Sequence, residues 1–162
     1  VSEIPFSRVK GHIRKVHHIF GLEEDQLPQD YFFTNIFLHN KNYHRIHAPF
    51  AGLIKRIQHI KGDLIVLRPW IYHHNPSIPA FRNERINLDI EDQQGRTWYL
   101  SIVGGPAVGS IILPPEITVG ARFNQLQELA LFYLGSTCCM AGPDSISDAH
   151  HLGKWVEVGE EY

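Results

Sequence analysis

Cysteine is scarce in this chain: two residues in 162, Cys138 and Cys139, and they are adjacent. Neighbouring cysteines are badly placed to close a loop, so no disulfide scaffold is expected, and both read as small buried side chains of a reducing compartment. Charge of one sign is lacking as well. A formal net charge of -2 and a pI near 6.6 create no field that would concentrate nucleic acid, and nucleic-acid binding is not expected. No apolar h-region stands among the first eleven residues, so no targeting signal is read in the chain. Uninterrupted hydrophobic runs are missing too. Residues 97–115 are long enough to cross a bilayer, but Gly104, Gly105, Pro106, Gly109 and Ser110 break them into two strands and a turn, and residues 129–143 are too short. Any membrane contact made by this chain is therefore expected to be peripheral.

What remains has the material of a core. A chain of this length buries roughly 70% of its unfolded surface as one domain, and no repeat, linker or low-complexity tract divides residues 1–162. Apolar residues at Ile13, Val16, Ile19 and Phe20 have helical spacing, and Gly21 stands where such a helix would stop. Beyond it the pattern turns to strands. Aromatic and β-branched residues fill 31–38, Ile86, Leu88 and Ile90 alternate, residues 64–67 form a compact apolar run, and glycines punctuate at turn-like spacing. The expected fold is β-rich, a mainly antiparallel sandwich or partly closed barrel with one or two short peripheral helices.

Histidine is abundant, eleven residues, several in the doublets His17–His18, His73–His74 and His150–His151. Adjacent histidines on a strand point to opposite faces, so a doublet offers one ligand to a given site. No His-Glu-x-x-His or paired-cysteine spacing is present, and no metal site is expected; partly exposed side chains are the reading for most of the doublets.

Two other segments carry more. Residues 43–49, YHRIHAP, gather His44, His47 and Arg45 between two strand-like runs, where scaffolds hold reactive groups. Residues 134–137, LGST, put Gly135 and Ser136 inside an apolar run. Taken singly, the first reads equally as a structural turn and the second as a bulge.

Together, and with KGH at 10–12, GLIKRIQHIKGDL at 52–64, FRNERI at 81–86 and VGGPAVGSI at 103–111, they resemble phosphatidylserine decarboxylases in order and spacing across nearly the whole chain. The resemblance implies self-processing. His47 acts as general base on Ser136, whose hydroxyl attacks the Gly135 carbonyl, and the chain parts into a β-chain of residues 1–135 and an α-chain of residues 136–162. Residue 136 becomes a covalent pyruvoyl cofactor, an electron sink for decarboxylation, and His44 donates a proton after CO2 leaves. The implied substrate is a phospholipid, phosphatidylserine, met by a peripheral membrane protein that faces the cytosol if bacterial; a homodimer is implied on the same ground.

Two further readings stay open at this level: decarboxylation of a free amino acid by the same chemistry, and an unprocessed lipid-binding relative. One departure bears on them. The resemblance calls for an aspartate upstream of KGH to orient the base, whereas only nine residues precede Lys10 and Glu3 is their one acid, so the chain by itself is expected to stay largely uncut. Asp144 and Asp148 are the local substitutes weighed.

Overall fold

The computed structural model describes residues 13–38, 43–65, 78–105, 110–133 and 136–143, without the side chains of residues 13–15, 78 and 136. Residues 10–12, Gly135, Asp144, Asp148 and the doublets at 73–74 and 150–151 lie outside that set.

Helix α1 (Ile13–Ile19) ends at Gly21, whose φ of 64° is costly for any residue with a Cβ. Main-chain bonds from Gly21 N to the His18 carbonyl and from Leu22 N to the His17 carbonyl close the turn. A side chain at Gly21 would also run into Gln58 and Ile60. Strands β1 (Phe32–Leu38), β2 (Arg45–His47) and β3 (Gly52–Ile60) follow, then helix α2 (Ile78–Arg82) and the hairpin β4 (Arg85–Asp92) with β5 (Thr97–Val103). β6 (Ile111–Ile112), β7 (Arg122–Phe123), β8 (Glu128–Phe132) and β9 (Ser136–Gly142) complete the described fold.

Six strands form one sheet in the order β1-β9-β5-β4-β3-β7, and β2-β8-β6 form a second, with every strand pair antiparallel. The period-two alternation explains why the larger sheet is apolar on both faces. Leu88, Ile90, Trp98, Leu100, Ile102 and Cys138 pack against Ile46, Leu129, Ala130 and Phe132 of the smaller sheet. Tyr99, Val103, Cys139 and Ala141 point the other way, onto Val16, Ile19 and Phe20 of α1 and its turn. The adjacent cysteines thus feed two separate cores; both are free thiols, and burial pushes Cys138 up to about 12 and Cys139 well above its ordinary value. At working pH neither is a nucleophile.

The β-rich expectation holds as a two-sheet sandwich, and the helix at Ile13–Ile19 stands where the spacing put it. The run at 64–67 does not make the expected strand in its described part. Leu64 and Ile65 follow an isolated bridge between Asp63 and Asn83, because the Asn83 side chain takes both main-chain groups of Ile65 and leaves no ladder to build. The doublet at 17–18 also departs from expectation: His17 is buried, and only His18 is exposed.

Candidate active site

β8 is the element that joins the two halves of the candidate site. Its one flank pairs with β2, which carries His47 and follows His44; its C-terminal end leads through residues 133–135 into Ser136, the first residue of β9. Phe132 N donates to the His44 carbonyl at 2.9 Å, so His44 is level with the end of β8. Four residues span at most about 14 Å, which bounds the separation of Ser136 from Phe132. His47 is opposite Glu128, near the start of β8, after a register shift between Ile46 and His47. By strand rise it stands about 10 Å from His44 along β2, so His44 is the nearer of the two to the end of β8.

The His47 ring is held at both nitrogens. Nδ1 lies 2.7 Å from the main-chain carbonyl oxygen of Leu126, and Nε2 lies 2.7 Å from the Tyr43 hydroxyl. The Tyr43 ring stacks on the imidazole, 5.6 Å between centroids and 13° between planes. A carbonyl only accepts, so Nδ1 carries a proton, and in the neutral ring the lone pair is on Nε2. That is the tautomer a base on Nε2 requires. The carboxylate expected from upstream has no counterpart at this nitrogen among the described residues. Glu128, opposite His47, gives its carboxylate to Arg45.

Leu126 owes its carbonyl direction to an unusual backbone. Its φ is 64°, and it is the one non-glycine residue with positive φ among those described. The conformation costs about 1 kcal/mol or more and is imposed by the surroundings. Leu126 N donates to the Ala48 carbonyl at 2.8 Å, Ala48 N donates to the Gln127 carbonyl at 2.8 Å, and the Gln125 side chain donates to the Pro49 carbonyl at 3.1 Å.

Around Ser136 the main chain is firmly set. Ser136 is opposite Leu38 of β1, and Thr137 is opposite both Phe37 and Val103, so the strand begins between two neighbours. The Thr137 hydroxyl donates to the Ile36 carbonyl at 2.9 Å and also meets the Asn35 side chain. Tyr133 N donates to the Ser110 carbonyl at 3.0 Å, and the Ser110 hydroxyl is buried with no hydrogen-bond partner among the described residues. Large apolar groups are exposed on the segments that carry these residues: Tyr133 is 71% exposed, Leu126 56% and Tyr43 47%.

The NER segment at 83–85 proves to be architectural. Asn83 donates to the carbonyls of Ile65 and Gly104 and accepts from Ile65 N. Glu84 meets His59 at 2.7 Å. Arg85 is buried and spreads its guanidinium over the end of α1, donating to Ile19 at 2.7 Å and His18 at 2.9 Å. Burial pulls its pKa down from the ordinary arginine value, yet a guanidinium keeps its proton.

Among known proteins, the family model described as phosphatidylserine decarboxylase matches residues 2–162. A phosphatidylserine decarboxylase proenzyme of Methylobacillus flagellatus is 32% identical over 158 residues, covering 83% of this chain and 56% of the relative. Proenzymes of the same name from Albidiferax ferrireducens and Idiomarina loihiensis are 31% and 37% identical, each over 94% of this chain and over 61% and 49% of the relatives. The chain thus spans about half to three-fifths of the length of these curated relatives. No solved structure matches it. A match over residues 2–162, reinforced by relatives 32% and 37% identical across most of the sequence, establishes that the chain belongs to the phosphatidylserine decarboxylase family.

Proposed function

We propose that the protein carrying this chain decarboxylates phosphatidylserine to phosphatidylethanolamine after cutting itself between Gly135 and Ser136. The observation that carries the reading is the junction at β8, which ties the strand of His47 and the carbonyl of His44 to the segment running into Ser136. In maturation, Nε2 of His47 takes the Ser136 hydroxyl proton while the oxygen attacks the Gly135 carbonyl and turns the amide into an ester. Elimination across Cα–Cβ of residue 136 releases the Gly135 carboxylate, and hydrolysis with loss of ammonia leaves a pyruvoyl group on the α-chain, residues 136–162.

The site suits such a group. Residue 136 opens a strand whose backbone is paired on both sides from Thr137 on, and it is close in sequence to the end of β8 that Ser110 holds. The pyruvoyl ketone supplies an electron sink for a substrate bound through its amine. His44, level with the end of β8, is assigned the protonation of the substrate carbon once CO2 has left. Tyr133, Leu126 and Tyr43 offer apolar surface to a lipid and so favour a phospholipid over a free amino acid. Contact with the membrane is peripheral in this reading; among the described residues no helix is long and apolar enough to cross one. A homodimer belongs to the same proposal, and light scattering of the purified protein tests it.

Intact-mass measurement of the full-length protein tests the reading. The expected result is a C-terminal fragment starting at residue 136 with a blocked, pyruvoyl N-terminus, absent from Ser136→Ala. His47→Ala should remain uncut, while His44→Ala should be cut yet release CO2 from phosphatidylserine vesicles about 10²- to 10⁴-fold more slowly. An intact chain with a free Ser136 after long incubation would defeat the proposal.

A further inference from the structure

The hydrogen bonds of His47 carry a consequence for when the base can act. Leu126 accepts from Nδ1, so the only lone pair of the neutral ring is on Nε2, and the Tyr43 hydroxyl, 2.7 Å away, already donates to it. A nitrogen so occupied cannot receive a proton from serine. Because Tyr43 also stacks on the imidazole at 5.6 Å, it holds the ring plane as well as the lone pair. Yet 47% of its surface is exposed, so its ring can swing into solvent without opening a core. Leu126 is the opposite case: its carbonyl is locked by the bonds that tie residues 125–127 to residues 48 and 49.

We propose that Tyr43 is a latch on the maturation base: its hydroxyl caps Nε2 of His47, and self-cleavage proceeds from the state in which that bond has opened. Tyr43 is thus a positioning residue that sets how often the base is available, while the Leu126 carbonyl keeps the proton on Nδ1. The inference rests on the assignment of His47 as the base of maturation.

Its test has two arms in the full-length protein. In the uncuttable Ser136→Ala background, ¹⁵N spectra of labelled histidine should give His47 a protonated Nδ1 and an unprotonated Nε2 whose shift bears the mark of an accepted hydrogen bond. Tyr43→Phe should keep the tautomer and move Nε2 to the value of an unbonded nitrogen. In the cuttable protein, Tyr43→Phe should be cleaved faster, by about 2- to 10-fold, the range set by the net worth of one hydrogen bond. A proton on Nε2, or an Nε2 signal unmoved by Tyr43→Phe, overturns the latch, and so does cleavage at an equal or lower rate in Tyr43→Phe. Absence of cleavage in both proteins overturns the self-processing function and the latch with it, whereas equal cleavage in both overturns the latch alone.

Discussion

Arg85 distinguishes architecture from chemistry in the NER segment. Its guanidinium donates to Ile19, His18, Asn83 and Phe81 carbonyls at 2.7, 2.9, 3.1 and 3.4 Å. α1 has seven residues, below the roughly 12–15 needed for an isolated helix to persist, so its attachment must come from packing and from this cap. Arg85→Met removes four hydrogen bonds but also removes a buried charge. Part of the bonding survives, since the Ile19 carbonyl keeps Asn87 at 3.0 Å and the His18 carbonyl keeps Gly21 N at 3.3 Å. With roughly 1–3 kcal/mol for each carbonyl left dry and some desolvation recovered, the net loss is about 2–3 kcal/mol. Arg85→Lys should be worse, about 3–5 kcal/mol, because an ammonium keeps the buried charge while losing the planar fork that reaches several carbonyls. Urea unfolding gives the stabilities, and hydrogen exchange at the α1 amides locates the loss. Folded Arg85→Met should still be cut at the wild-type rate. A milder effect for lysine than for methionine would refute the fork argument, and a folded but uncut Arg85→Met would return the segment to the chemistry.

Gly142→Ala should destabilise by about 1–3 kcal/mol, since a Cβ there falls 2.1 Å from the Trp98 ring, which Phe32 and Phe50 already wedge; tryptophan emission during urea unfolding reads it. Burial would raise the Asp92 carboxyl, but bonds from Trp98, Arg96 and Gln94 outweigh it and hold it at about 2. A folded pKa below the unfolded value of about 3.9 gives stability that is present above pH 4 and lost as pH falls toward 2, so Asp92→Asn should flatten that acid limb of the urea midpoint. After cleavage the fragment beginning at Ser136 should co-elute with residues 1–135 in native size exclusion and separate only in denaturant.

Much of this was legible because it rests on local pattern. The alternation of Ile86, Leu88 and Ile90 fixes which face of β4 meets the smaller sheet, and Gly21 ends α1 where the apolar spacing stops. The described part of the strand expected at 64–67, Leu64 and Ile65, departs for a non-local reason: Asn83, eighteen residues on, captures both main-chain groups of Ile65. The burial of His17 is equally invisible locally, since nothing in a His-His doublet says which member will be buried. At the proposed site, His44, His47 and Ser136 are assigned by resemblance, and the partner of His47 Nδ1 could not be anticipated even so. A main-chain carbonyl has no side-chain signature, and Leu126 lacks even the glycine that usually announces a positive φ.

The position of Ser136 bears on how a protein could survive the proposed cut before this residue. β9 is an interior strand of the six-stranded sheet, in register with β1 from Ser136 to Gly142 and with β5 from Thr137 to Ala141. Its side chains enter both cores, Cys138 on one face and Cys139 with Ala141 on the other. A break before Ser136 severs one peptide bond and no ladder bond of this strand. Were the same Gly-Ser at the middle of β9, scission would sacrifice hydrogen bonds to two neighbours and release tension into both cores; at an exterior strand, the fragment would be held on one edge alone. At the first residue of an interior strand, the new N-terminus stays fixed by Leu38 opposite it and by the Thr137 hydroxyl on the Ile36 carbonyl one residue on. In the proposed maturation, the residue that becomes the electrophile thereby keeps its backbone in place.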